Sequence, residues 1–156
     1  MAVSDYLPFT AMPVGTLDKK GRVCIPAHYR QILSAQNTRG VYVREALLTP
    51  SLECFGASVM QAFHEAQAAQ DPLFTSVHDV DAFSLLSMSQ DLAIDETGRV
   101  RLPDSFIVYA GLVEHITFVG MGRKFEIWDS ATFAPVRDER RAAAQVRARA
   151  QAAARS

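Results

Sequence analysis

Short runs of alternating apolar and polar residues dominate the first half of the chain, and the same order returns in the second. Val14-Gly15-Thr16-Leu17 and Arg22-Val23-Cys24-Ile25 read as two strands joined by the turn Asp18-Lys19-Lys20-Gly21. A glycine closing such a turn supplies a positive φ without a Cβ clash. Pro26 then opens a short helix, Ala27 to Leu33, because a missing N–H costs nothing in a first helical turn. Val41-Tyr42-Val43 and Leu52-Glu53-Cys54-Phe55 read as strands. A helix follows over about Ala57 to Gln70, with Val59, Met60, Phe63 and Ala66 on one face. In the second half, Leu92-Ala93-Ile94 and Val100-Arg101-Leu102 flank a turn ending at Gly98. Pro103 opens a helix that stops near Gly111, and His115–Val119 and Lys124–Trp128 are strands joined through Gly120-Met121-Gly122. A last helix starts at Ser130 and runs toward the C-terminus.

The parallel extends to the residues themselves. Leu17-Asp18-Lys19-Lys20-Gly21-Arg22-Val23-Cys24-Ile25-Pro26 returns 77 positions later as Ile94-Asp95-Glu96-Thr97-Gly98-Arg99-Val100-Arg101-Leu102-Pro103. The chain is therefore a duplicated module. Each half reads β-turn-β, short helix, β-β, helix, so the fold class is α+β, β-rich, with two pseudo-symmetric ββαββα halves. Four short strands do not close a stable core alone, but two such halves can pack together as a pseudo-dimer. The expected boundaries are a first half at 10–70, a linker and bridging helix at 71–89, a second half at 90–133 and an Arg/Ala-rich helical tail at 134–156. Asp71-Pro72 marks the linker, and the bridging helix is expected around Asp79 to Met88.

Charge sharpens this picture. The net charge is −1, yet from Thr10 to Arg44 there are six basic residues and one acidic, Asp18. From Glu45 to Gly98 there are nine acidic residues and no Lys or Arg, and from Pro135 onward six Arg stand against Asp138 and Glu139. Such segregation creates a local positive field without a net positive charge. The first turn, with Lys19, Lys20 and Arg22 around Gly21, is a compact cationic projection, and a two-stranded ribbon fits the major groove of B-DNA. Lys19, Lys20, Arg22 and Arg30 are the candidate DNA-binding residues. Asp18, Gly21, Pro26, Asp95, Gly98, Arg99 and Pro103 recur in both copies and are expected to build the hairpins. Asp18 can accept turn N–H groups or pair with Arg22. Lys19 and Lys20 occur once, which sets them apart from the frame.

Other chemistry is sparse. No run reaches the 18 or so apolar residues of a membrane span, and the start of the chain lacks the pattern of a secretory signal. Cys24 and Cys54 are expected to be buried small hydrophobes in a reducing compartment. His28, His64, His78 and His115 are scattered, without metal-ligand spacing, and there is no phosphate loop or nucleophile elbow. Neither an enzyme, a metal site nor a cofactor is expected. The tail from Gln145 to Ser156, Ala and Arg with Val146 as its apolar anchor, reads either as a frayed solvated helix end or as an arm touching DNA or another subunit.

These motifs resemble the MraZ family, built of two SpoVT-AbrB-like halves with an Asp-x-x-x-Arg motif in each. Here those are Asp18–Arg22 and Asp95–Arg99. The stretches Arg99–Pro103, Tyr109–Leu112, Phe118–Gly120 and Lys124–Trp128 are similar to the family's second half. The resemblance implies a swapped-hairpin AbrB-like barrel and a closed ring of identical subunits in the cytoplasm, associated with the nucleoid. It also implies a repressor-type regulator that binds double-stranded DNA at tandem direct repeats upstream of the division and cell-wall gene cluster, its own gene included. The DNA-facing motif would be the first. A dimeric AbrB-like regulator or antitoxin, and an oligomeric scaffold that binds protein through the acidic middle segment, remain as alternatives.

Overall fold

A computed structural model describes residues 7–70 and 76–156. Its elements are β1 (Val14–Thr16), β2 (Arg22–Cys24), α1 (Ala27–Ala35), β3 (Gly40–Glu45), β4 (Leu52–Phe55) and α2 (Ala57–Gln70). They continue with α3 (Ser76–Ala82), a π-helical turn (Phe83–Ser87), β5 (Gln90–Ala93), β6 (Arg99–Arg101), α4 (Asp104–Ala110), β7 (His115–Gly120), β8 (Lys124–Asp129) and α5 (Ser130–Ala154). The fold is α+β and rich in antiparallel strands, ββαββα in each half. The linker at Asp71-Pro72 lies outside the described residues.

The halves are interlaced. The main sheet runs β1-β7-β8-β4-β3-β5, and β2 pairs with β6 in a separate ribbon. β1 therefore pairs with β7, β5 with β3, β4 with β8 and β2 with β6, each pair joining one half to the other. Reversing the order and exchanging equivalent strands returns the same order, as an internal two-fold requires. The bridges Leu17↔Val23 and Ile94↔Val100 tie the ribbon to both edge strands of the sheet, so the strands form a barrel-like closure.

Both halves fill one core. Val23 and Val100 are Cα partners at the ribbon's centre, 77 positions apart and fully buried. Around them pack Ile25, Tyr29, Val41, Leu102, Phe118 and Phe125. Tyr29 donates its hydroxyl hydrogen to Thr10 O (2.7 Å), and burial pushes its phenol up to about 12. On the opposite side of the barrel the second self-paired position is Glu53↔Glu126. Like charges directly opposite destabilise a sheet, and here each is neutralised. Glu53 pairs with Arg44 (3.1 Å) and Lys124. Glu126 receives Trp128 Nε1–H (3.0 Å) and a two-pronged contact from Arg140 (2.6 and 3.2 Å). Arg140 also lies 5.5 Å from the Trp128 ring centre, so it fastens α5 to the sheet.

Several local expectations shift. Pro26 and Pro103 stand one residue before their helices, with φ near −51° and −56°. Cys54 is buried, and burial pushes its thiol well up. Cys24 is exposed rather than buried, because the alternation of β2 that turns Val23 inward turns Cys24 outward. The bridging helix begins at Ser76, earlier than expected, and loosens into the π turn at Phe83. In α2, Val59, Met60 and Phe63 are only half-buried and Ala66 is exposed. The tail is a continuation of α5 to Ala154, in keeping with the helix propensity of Ala and Arg.

Candidate nucleic-acid interface

The two Asp-x-x-x-Arg segments fold into the same turn. Gly21 N–H donates to Asp18 O (3.1 Å) and Asp18 N–H to Arg22 O (3.0 Å). In the second copy, Gly98 N–H donates to Asp95 O (3.0 Å) and Asp95 N–H to Arg99 O (2.9 Å). Gly21 and Gly98 have φ of +76° and +84°, a conformation that explains glycine at both places. The aspartate carboxylate sits inside each turn. Asp18 Oδ1 accepts from Lys20 N (2.9 Å) and Arg22 N (2.9 Å). Asp95 Oδ1 accepts from Thr97 N (2.8 Å) and Arg99 N (2.9 Å). The backbone N–H of Arg22, and likewise that of Arg99, is the main influence holding each carboxyl below its ordinary value of 3.8.

The turns also brace each other. Ile25 N–H donates to Gly98 O and Leu102 N–H to Gly21 O, both at 2.9 Å. The aliphatic residue of each phrase thus completes the turn of the other, which accounts for the spacing between Gly and that residue.

Side chains break the symmetry. Arg22 Nε donates to Asp18 Oδ2 at 2.8 Å, a half-exposed ion pair. Asp95 instead receives the hydroxyl of Thr97 (2.7 Å), and Arg99 is exposed. Lys19 and Lys20 are exposed on the first turn. Arg30 and Ile107 are 77 apart as well, and each leans on the turn of the opposite half. A Cβ on Gly21 would meet Ile107 Cδ1 at 3.2 Å, and one on Gly98 would meet the Arg30 guanidinium at 2.6 Å. Arg30 Nε donates to Ile25 O (3.1 Å). Arg30 is therefore seated at the second turn, apart from Lys19 and Lys20.

The ribbon β2·β6 joins these parts. Its Cα partners are Arg22↔Arg101, Val23↔Val100 and Cys24↔Arg99. Opposed residues share a face and neighbours alternate. Because the two valines point inward, Arg22, Arg99 and Arg101 share the outer face with Cys24. Lys19 and Lys20 extend this face at one end. Arg101 was absent from the residues singled out by sequence, and Arg99 was assigned to the frame alone. The signal for both was the alternation around Val100. The result is a two-stranded, cationic ribbon without an acidic side chain on the outward face of its strands. Among the described residues no group of three His, Cys, Asp or Glu side chains is placed to hold a metal ion, and no helix is long and apolar enough to cross a membrane.

Comparison with known proteins agrees with this architecture. Residues 85–155 match the MraZ family, described as "MraZ protein, putative antitoxin-like". The chain is 35% identical over 117 residues to the transcriptional regulator MraZ of Beijerinckia indica, covering 75% of this chain and 71% of that one. It is 38% identical over 117 residues to the namesake in Azorhizobium caulinodans, covering 75% and 74%. In Gluconobacter oxydans the figures are 36% over 141 residues, 88% and 83%. With identity at this level across most of both chains, and with both Asp-x-x-x-Arg turns formed, the chain belongs to the MraZ family of transcriptional regulators.

Proposed function

We propose that the chain is a sequence-specific DNA-binding regulator, acting without catalysis in the cytoplasm as a nucleoid-associated ring that reads tandem direct repeats upstream of the division and cell-wall gene cluster. The observation that carries this reading is the outward face of the β2·β6 ribbon with its lysine-tipped turn. A two-stranded ribbon has the width of the major groove. Arg22, Arg99 and Arg101 carry planar forks suited to guanine edges or phosphates, and Lys19 and Lys20 act as point charges on the backbone. Arg30 keeps the second turn in place and adds a cation at the far end of the ribbon.

One ribbon is a weak contact. Subunits related head to tail present their ribbons in one sense, so a ring reads direct repeats, whereas a two-fold dimer reads palindromes. Several linked contacts raise avidity by about 10² to 10⁴. With about three phosphate contacts from each of three or four subunits, log K against log salt should slope at roughly −8 to −11. Titration of a direct-repeat fragment from upstream of the protein's own gene, at several salt concentrations, tests this. Binding that ignores salt, or fails to prefer the repeats over random DNA, rejects the reading. The antitoxin-like description of the family model supports a second reading, a dimeric AbrB-like regulator. A sedimentation mass of two subunits and a preference for palindromes would select it.

A further inference from the structure

Among the described residues two surfaces lack a cover, and their chemistry is complementary. The first is the distal part of α5. Phe133 is buried and Arg140 is bound to Glu126, but every residue from Arg141 onward is exposed. The helix nonetheless continues to Ala154, so an arm of four turns, about 21 Å long, projects from the barrel. An isolated helix of that length is marginal in water. The arm carries Arg141, Arg147 and Arg149 and no acidic residue, and most of its other positions are alanine.

The second surface is the outer side of α3 and the π turn. Val77, Val80, Phe83 and Leu86 recur every three residues and are 50–66% exposed. The inner side is occupied, since the Arg44 guanidinium donates to Ser84 O and Leu85 lines a cleft with Arg44 and Lys124. Asp79 and Asp81 are exposed on the same segment, which lies in the stretch from Glu45 to Gly98 that contains no Lys or Arg. Together α3 and the π turn extend for roughly 17 Å, close to the length of the arm.

We propose that the basic arm of one copy lies along the acidic, apolar stripe of the next copy. This deepens the ring reading given above and rests on it, naming the contact by which the copies join. Alanines let two helix axes approach closely, and arginine stems can cover apolar side chains while their heads reach Asp79 and Asp81. The arm's own stripe is not its partner, because both are exposed in a single chain. Binding of the arm to DNA would leave the stripe uncovered. A stripe of four large hydrophobic residues also calls for an apolar cover. Because arm and stripe are different surfaces, the contact is head to tail and propagates until it closes.

Two full-length variants test the contact: Arg147→Glu/Arg149→Glu and Asp79→Arg/Asp81→Arg. All four positions are exposed, and thermal unfolding checks that each variant keeps its fold. By light scattering, each variant alone should lose the wild-type multimeric mass and approach the 17.2 kDa of one chain. Their equimolar mixture should regain it, because the acidic arm of one now faces the basic stripe of the other, and the unchanged surfaces also match. Wild-type mass in either variant alone overturns the contact and leaves the ring reading standing. So does a mixture that stays dissociated, or an arm variant that keeps its mass but loses DNA. A wild-type chain that is monomeric at concentrations where it binds DNA overturns the ring reading itself.

Discussion

The turn at Asp18–Arg22 and the turn at Asp95–Arg99 share one backbone and present different surfaces. In both, one oxygen of the aspartate carboxylate collects two N–H groups, a glycine takes a positive φ, and the carbonyl of that glycine is completed by the other half. The first then displays two lysines and ties its arginine to the aspartate. The second displays Glu96 and Thr97, satisfies its aspartate with a hydroxyl and leaves Arg99 outward. The difference teaches that the aspartate and the glycine of the motif are a folding device in both copies, whereas the arginine side chain joins it only in the first. In the proposed DNA contact, what the hairpin contributes lies in the variable positions and in the outward residues of the strands.

If the copies are equivalent as frame, core truncations at the shared centre should cost the same. Val23→Ala and Val100→Ala should each lower stability by about 2 kcal/mol, since both side chains are fully buried. Denaturant unfolding that gives one a much larger loss would show that one half carries the fold. If the copies differ as surface, the second strand should still assist the first. Arg99→Ala/Arg101→Ala should weaken binding to a repeat fragment roughly 10-fold and flatten the salt slope, because two outward guanidinium groups leave the ribbon. An unchanged slope would confine the DNA contact to the first turn.

The smallest effect concerns the carboxylates. Both aspartates are held below the ordinary 3.8. Their stabilising contribution is therefore complete above that value and is lost as pH falls through the lowered folded value. The backbone N–H is the largest influence at each site and survives truncation of the arginine. Arg22 adds a side-chain hydrogen bond and a charge to Asp18, whereas at Asp95 the side-chain bond comes from Thr97 and Arg99 adds only its charge, the smallest influence there. Carboxyl titration by NMR should show Asp18 rising in Arg22→Ala and Asp95 nearly unmoved in Arg99→Ala. Equal movement of both would erase the asymmetry between the turns.

Much of the frame was legible in the chain. The repeated phrase located both turns, and glycine and aspartate carried their roles because each has few conformational and bonding alternatives there. The pairing of β1 with β7 and β3 with β5 was not legible, since alternation sets which side of a strand faces the core and says nothing of its neighbour. Arg30 shows the same limit. Its charge grouped it with Lys19 and Lys20, but α1 seats it at the Gly98 turn, at the other end of the ribbon. Cys24 and Arg101 occupy equivalent outward positions, yet an apolar thiol suggests the core, and position 101 falls in the variable part of the repeated phrase. The π turn arises in a segment where Arg44 reaches Ser84 O, a contact 40 positions apart. The length of α5 was foreshadowed by alanine, but nothing in the chain told how far it stands clear of the sheet.

In the proposed division, two turns of one geometry separate frame from DNA contact through Lys19 and Lys20. The most direct measurement is operator binding by Lys19→Glu/Lys20→Thr, which gives the first turn the residues of the second. Unfolding temperature and oligomeric mass should match the wild type, because the exchanged side chains are exposed and the turn bonds remain. Affinity for a direct-repeat fragment at about 0.15 M salt should fall on the order of 10³-fold, as each engaged subunit loses two cations and gains an anion. Wild-type affinity in a folded, correctly assembled variant would contradict the account and move the DNA contact off this hairpin.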